Sequence, residues 1–344
     1  MRTLARAISV TLLLALVITC DLPPAFSQEK DKDNEQQGAA LIWRDPGNIA
    51  ERNLRFGPGA PHLAPVAPFT FLKEDKSGES PKFDVKDARG VKWAVKLGEE
   101  AQAETVATRL VWSVGYFAEE AYYFEKVQIR RLPKLSRGME NVGRRGIVFG
   151  ARFEPRREHI KRGESWSWDK NPFQDTRELS GLKVLMILLN NYDARKENNR
   201  VLHVKDPISG SLEEQHTVTD LGATLGRAGG LGGRRTKNNL EDFLSTRFVM
   251  GVEDDGSVEF DYDTRPTKLG MLSIVYPPYY RGQVKKEKSM RGIPVEHARW
   301  IGSLLSQLSE QQLRDAFRAA GYHKSLTSGY VNALRERISQ LTRL

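Results

Sequence analysis

The sequence predicts an α+β protein of two lobes, a small strand-rich one up to about residue 132 and a larger helical one after it. Three observations lead there. Short runs between residues 69 and 97 alternate apolar with polar side chains and are separated by turn residues. Leu182, Leu185, Met186 and Leu189 repeat at i, i+3, i+4 and i+7, the stripe of a buried helix. The same stripe returns at Ile301, Leu304, Leu305 and Leu308, and again at Val331, Leu334, Ile338 and Leu341. A chain of 344 residues is long enough for one bilobal domain or two ordinary ones.

The N-terminus reads as an address. Arg2 and Arg6 precede an apolar run from Ile8 to Ile18, too short to cross a bilayer but suited to a signal-peptide core. Residues 1–27, ending in Ala25-Phe26-Ser27, are read as a signal peptide, which predicts a periplasmic or extracellular protein. The alternative is a lipoprotein tethered to a membrane at Cys20, although Thr19 is larger than the residue such signals prefer. Cys20 is the single cysteine, so disulfide frameworks, Cys-rich zinc sites and thiol catalysis are excluded from the mature protein. Residues 28–67 are polar, then rich in Pro and Gly, and predict a flexible lead. The formal charge of +9 is spread along the chain without a basic stripe or binding motif, so no nucleic-acid partner is expected.

Three strands come next, Phe69 to Lys73, Lys82 to Lys86 and Val91 to Leu97, the last two joined by the turn Asp87-Ala88-Arg89-Gly90. Lys96 closes the third strand. The loop Asp75 to Pro81 reads as a hairpin turn in which Ser77, Gly78 and Ser80 offer hydroxyls and a free backbone. Glu99 to Gly115 has helical spacing, and Glu104 lies about a turn inside it, with Glu100 as its competitor for reaching Lys96. Tyr122 to Arg131 reads as further strand, Leu132-Pro133-Lys134 as the passage between lobes, and Gly138 to Asn171 as irregular chain. Within that stretch Trp166 and Trp168 are read as anchors of a long loop, the alternative being that their indoles stack on a base or sugar. The helix from Asp175 to Leu189 then delivers a polar turn.

That turn, Asn190 to Asn199, carries Asp193 and, five residues on, Asn198. The runs Val201 to Val204 and His216 to Thr219 flank Pro207-Ile208-Ser209-Gly210, so a hairpin should return Asp220 to face Asn198. Two acids and an amide so placed are the parts of a phosphoryl-transfer site: one carboxylate orients the attacking hydroxyl, and the other groups hold metal. His203 and His216 lack metal-ligand spacing and are read as structural. Gly222 to Gly233 is glycine-dense and predicts mobility, without the ordered glycines of a dinucleotide site. The acids between Glu253 and Asp263 read as a solvated hairpin rather than a calcium loop. Ser309 and Gln312 form a capping-box pattern in the helical tail.

In these residues the chain resembles the protein-kinase-like superfamily, in the atypical branch that holds lipid kinases, HipA-type kinases and secretory-pathway kinases. Asp193 with Asn198 resembles the catalytic-loop pair, and Asp220-Leu221-Gly222 stands where Asp-Phe-Gly normally stands. Asn191 and Tyr192 replace the usual His-Arg, and the phosphate-covering loop has one glycine instead of three. The resemblance spans about residues 68 to 225. It implies a bilobal fold with ATP between the lobes. It also implies Lys96 on the phosphates with Glu104 behind it, the loop of Ser77, Gly78 and Ser80 over the nucleotide, and Asn198 and Asp220 on magnesium or manganese. Asp193 would orient or deprotonate the acceptor, and Arg195 would compensate charge on the transferred group. A catalytically inactive binding module and nucleotidyl transfer are the alternatives. The acceptor, protein or small molecule, is not named by any residue.

Overall fold

A computed structural model describes residues 38–78, 80–157, 160–206, 208–229, 234–264 and 277–344. The signal-like segment 1–27, the lead as far as residue 37, and residues 230–233 of the glycine-rich segment lie outside the described residues. Strands and helices are both abundant and the fold is α+β, built on two separate hydrophobic cores.

The smaller core fills a closed five-stranded barrel, with strand order β2-β3-β4-β6-β5. Its strands are β2 (Phe69–Asp75), β3 (Lys82–Lys86), β4 (Lys92–Leu97), β5 (Tyr122–Arg130) and β6 (Ile147–Pro155). All neighbours are antiparallel except β2 and β5, whose parallel pairing closes the barrel. The period of two in β4 decides which face is which: Trp93, Val95 and Leu97 are buried in the barrel core, leaving Ala94 and Lys96 on the opposite face. Helix α1 (Glu99–Ser113) packs on that face. Ala103, Val106, Ala107, Leu110 and Val111 join the larger core, so α1 lies between the barrel and the helical part.

The larger core gathers α2 (Arg177–Leu188) and the last three helices, Val295–Leu305, Glu310–Ala319 and Lys324–Arg343. Thr176 caps α2 by accepting from the Leu179 N–H, and the Ser309/Gln312 capping box is formed in both directions. A second sheet joins β1 (Ala39–Leu41), β7 (Lys161–Arg162), β8 (Asn199–Lys205) and β9 (Leu212–Val218) in the order β1-β9-β8-β7. The acidic stretch forms a two-stranded antiparallel hairpin, Val249–Val252 with Val258–Phe260, as expected.

Two expectations are corrected. The lead is not flexible from residue 38 onward: β1 (Ala39–Leu41) pairs with β9, and Ile42, Ile49 and Leu54 are buried in the larger core. A few apolar side chains spaced among Pro, Gly and charge were enough to anchor it. The lobe boundary near residue 132 is also wrong, because β6 returns to the barrel between β4 and β5. Most of β6 is buried on both faces, Arg152 and Glu154 included, so its polar residues disguise a strand as loop. The chain leaves the barrel only after Pro155.

Candidate functional site

Lys96 and Arg152 are register partners on adjacent strands and so project on the same side, toward α1. The Lys96 ammonium lies 2.7 Å from Glu100, 3.0 Å from Glu104 and 3.2 Å from Asp220. Burial disfavours this ammonium, yet Glu104, Asp220 and Glu100 together outweigh it and raise its pKa above the ordinary lysine value. Glu104 is the more deeply buried glutamate, which pushes its carboxyl up, while Arg152 at 3.4 Å and Lys96 oppose that shift. Glu100 is different: despite desolvation, Lys96, Lys237 and Ser80 draw its pKa down to about 2. Both glutamates weighed for Lys96 therefore reach it.

Glu100 also ties down the chain beyond Asp220. Lys237 reaches its other oxygen at 2.6 Å, and Asn238 donates to Gln102 further along α1. Gly222 passes so close that an added Cβ would meet the Glu100 Cβ at 2.8 Å, which is why glycine stands there. The start of the glycine-rich segment is tied to the chain beyond it: the Asn238 and Asn239 N–H groups donate to the carbonyls of Thr224 and Leu225.

Helix α2 ends at Asn190, whose positive φ and buried amide, bonded to Gly226 and Thr246, turn the chain. Asn191 then accepts from the Asp193 N–H, and Asn198 donates to both the backbone oxygen and the carboxylate of Asp193 at 2.8 and 2.9 Å. Arg195 clamps the Asp193 carboxylate with two nitrogens, at 2.6 and 2.8 Å. The expected hairpin forms: β8 pairs with β9, and both the N–H and the hydroxyl of Thr219 donate to the Asn198 carbonyl. Asp220 is thus the next residue after a position bonded directly to Asn198.

The loop between β2 and β3 is less open than its composition suggests. Ser77 bonds back to Asp75, the Gly78 carbonyl accepts from Arg137, and the Ser80 hydroxyl donates to Glu100. Ser77 and Gly78 therefore close a turn, and only Ser80 is linked to Lys96, through Glu100. Trp166 and Trp168 are buried as loop anchors.

Arg152 escaped the sequence reading. Its Glu104 and Glu154 contacts continue the ion chain from Lys96 to a cavity of about 350 Å3, lined in part by Glu119, Glu154, Pro155, Ile160 and Leu202. The signal was the alternation Ala151-Arg152-Phe153-Glu154, a strand pattern with its polar residues on one face. A second cavity, about 450 Å3, adjoins the turn after Asp193 and is lined by Ala194, Arg195, Lys196 and Glu197 together with Trp168.

Among the described residues no group of three or more His, Cys, Asp or Glu is placed to hold a metal ion, and no helix is long and apolar enough to cross a membrane. Among the described residues, Asn198 Oδ1 and Asp220 Oδ2 have no hydrogen bond. Oxygen donors of this kind suit a hard cation such as magnesium that completes its shell with phosphate and water.

No family model matches the chain, and no curated protein matches it. Among solved structures, the crystal structure of a Helicobacter pylori proinflammatory kinase, CtkA, matches at 13% identity. The match covers 79% of this chain and 97% of that one, with a TM-score of 0.35. A superposition that loose carries no weight for function, which rests on the site itself.

Proposed function

We propose that the protein is an exported kinase-like enzyme that binds ATP and a divalent metal between its two lobes and transfers a phosphoryl group to an acceptor hydroxyl. One observation carries this reading. Lys96, Glu104 and Asp220 meet within hydrogen-bonding distance although Asp220 lies 124 residues beyond Lys96, and Thr219 fastens that acid beside Asn198 and Asp193. The lysine, buried and fixed by acids, is preorganised to meet phosphate oxygens. Asp193 holds the acceptor hydroxyl in line and takes its proton, while Arg195 places positive charge beside the transferred group. Asn198 and Asp220 would hold magnesium or manganese, which neutralises phosphate charge when bound. The base would enter the cavity between Glu154 and Leu202, two residues along β4 and β6 from the Lys96 pair. Export rests on the signal-like residues 1–27 alone.

A thermal-shift titration with ATP, with and without magnesium or manganese, tests the reading on wild type and Asp220→Ala. ATP at about a hundred times its dissociation constant stabilises the native state by about 2.7 kcal/mol. We expect a metal-dependent shift that the substitution removes. No shift for wild type at millimolar ATP would overturn the reading.

A second reading has its own observation. Lys96 is engaged by three carboxylates, and the Ser77 and Ser80 hydroxyls are bonded to Asp75 and Glu100. A non-catalytic nucleotide- or protein-binding module fits that closure. ATP labelled at the α- or γ-phosphate separates the outcomes: γ-label in an acceptor marks phosphoryl transfer, α-label marks nucleotidyl transfer, and stabilisation without either marks the binding module.

A further inference from the structure

The second cavity shares no lining residue with the first. Its volume of about 450 Å3 falls in the range of small-molecule pockets, about 300–1,000 Å3, rather than that of an extended peptide groove. One wall is formed by Ala194 to Glu197, the residues that directly follow the acid proposed to receive the acceptor's proton. Another wall is the buried side chain of Trp168.

Charge narrows the ligand. Asp169 is paired with Lys285 at 2.9 Å, and Arg195 is paired with Asp193. Left over among the described residues are one ammonium and one carboxylate, those of the neighbours Lys196 and Glu197, whose side chains make no ion pair or hydrogen bond. An anionic ligand would meet Glu197 and Asp169. A cationic ligand would meet Lys196, Lys285 and Arg195. Vicinal hydroxyls satisfy both leftover groups at once, accepting from Lys196 and donating to Glu197 without net charge.

We infer that this cavity is the acceptor site and that it takes a neutral polyhydroxylated compound, a sugar or polyol. The inference rests on the phosphoryl-transfer reading. The acceptor oxygen forms a bond to the γ-phosphorus as the bond from that phosphorus to the bridging oxygen of ATP breaks. The hydroxyl proton goes to Asp193, ADP leaves with the electron pair, and the product is a phosphate monoester.

The test is ligand-observed saturation-transfer NMR on the full chain without nucleotide, so that it does not depend on catalysis. The probes are a panel of neutral mono- and disaccharides and polyols, with glucosamine and glucuronate as charged counterparts and a serine peptide as the competing class. We expect neutral members to bind, and Glu197→Gln and Lys196→Gln each to weaken them about tenfold. Both side chains are exposed, so folding is checked by an unchanged melting curve. Preference for glucosamine, glucuronate or the peptide would overturn the inference, as would binding that neither substitution weakens. Silence from the whole panel alongside an intact ATP shift would reject the acceptor site and leave the kinase reading standing. Loss of the ATP shift would reject that reading instead.

Discussion

On the barrel side of the site, Glu104 and Arg152 are buried, Lys96 is largely covered, and each charge touches at least one of opposite sign. On the turn side, Asp193 and Arg195 pair near solvent, and Lys196 and Glu197 beside them pair with nothing among the described residues. The contrast comes from the way each half is held. Strand register and α1 fix the first, at the cost of desolvating several charges, so removing one partner there leaves another stranded. A short turn capped by Asn190 and Asn198 fixes the second, which leaves groups available to something that comes and goes. Buried charge makes one half a support; unpaired charge makes the other a place of contact.

The largest expected effect breaks the barrel side. Glu104→Ala removes the carboxylate that lies between Lys96 and Arg152, and breaking a buried pair costs about 3–5 kcal/mol. Because Lys96 keeps Glu100 and Asp220, and Arg152 keeps Glu154, the loss should fall at the lower end. Urea denaturation of the variant measures it. A change below about 1 kcal/mol would mean that the cluster is not structural and that the contrast is misdrawn.

Protonation sharpens the same comparison at the far end of the barrel-side ion chain. Glu119, on the wall of the cavity that Glu154 also lines and in contact with Arg162, is pushed up to about 8 by burial and then by the charge of Glu154. Its folded pKa lies above its ordinary value of 4.5, so the folded state holds this proton more tightly than the unfolded chain. The contribution is therefore complete below about pH 4.5 and is lost as pH rises toward about 8. Glu119→Gln carries no such proton. Melting temperatures measured from about pH 5 to about pH 8 should fall more steeply for wild type than for the variant, and parallel curves would contradict the assignment.

How legible each half was in the sequence depends on how local its reasons are. Lys96 and Glu104 were readable because a strand and the helix after it lie next to each other in the chain. Asp220 was placed beside Asn198 because one hairpin joins them, and that hairpin formed with Asn199 opposite Val218. Arg152 was not readable in the same way. A charged residue becomes a core residue only through partners supplied by other elements, and without Glu104 and Glu154 in view it marks a loop. The lead failed for a related reason: averaged composition conceals Ile42, Ile49 and Leu54, whose burial depends on surfaces far along the chain. Ser77 and Ser80 were legible as loop residues, but their hydroxyl directions depend on Asp75 and Glu100.

The smallest effect on stability should come from the turn side and be the most informative about chemistry. Arg195 is half exposed, and its pair with Asp193 spans a single turn. Exposed ion pairs contribute about 0–1 kcal/mol, so Arg195→Ala should leave the denaturation midpoint almost unchanged. Transfer is another matter, because a positive group that is worth little to the folded state can be worth far more where charge moves. Loss of one such stabilising group typically lowers the rate about a hundredfold or more. We expect kcat to fall while the ATP-induced thermal shift persists, since Lys96, Asn198 and Asp220 are untouched. If transfer survived unchanged, the clamp on Asp193 would be only a way of holding the turn, and the contrast between support and contact would lose its catalytic meaning.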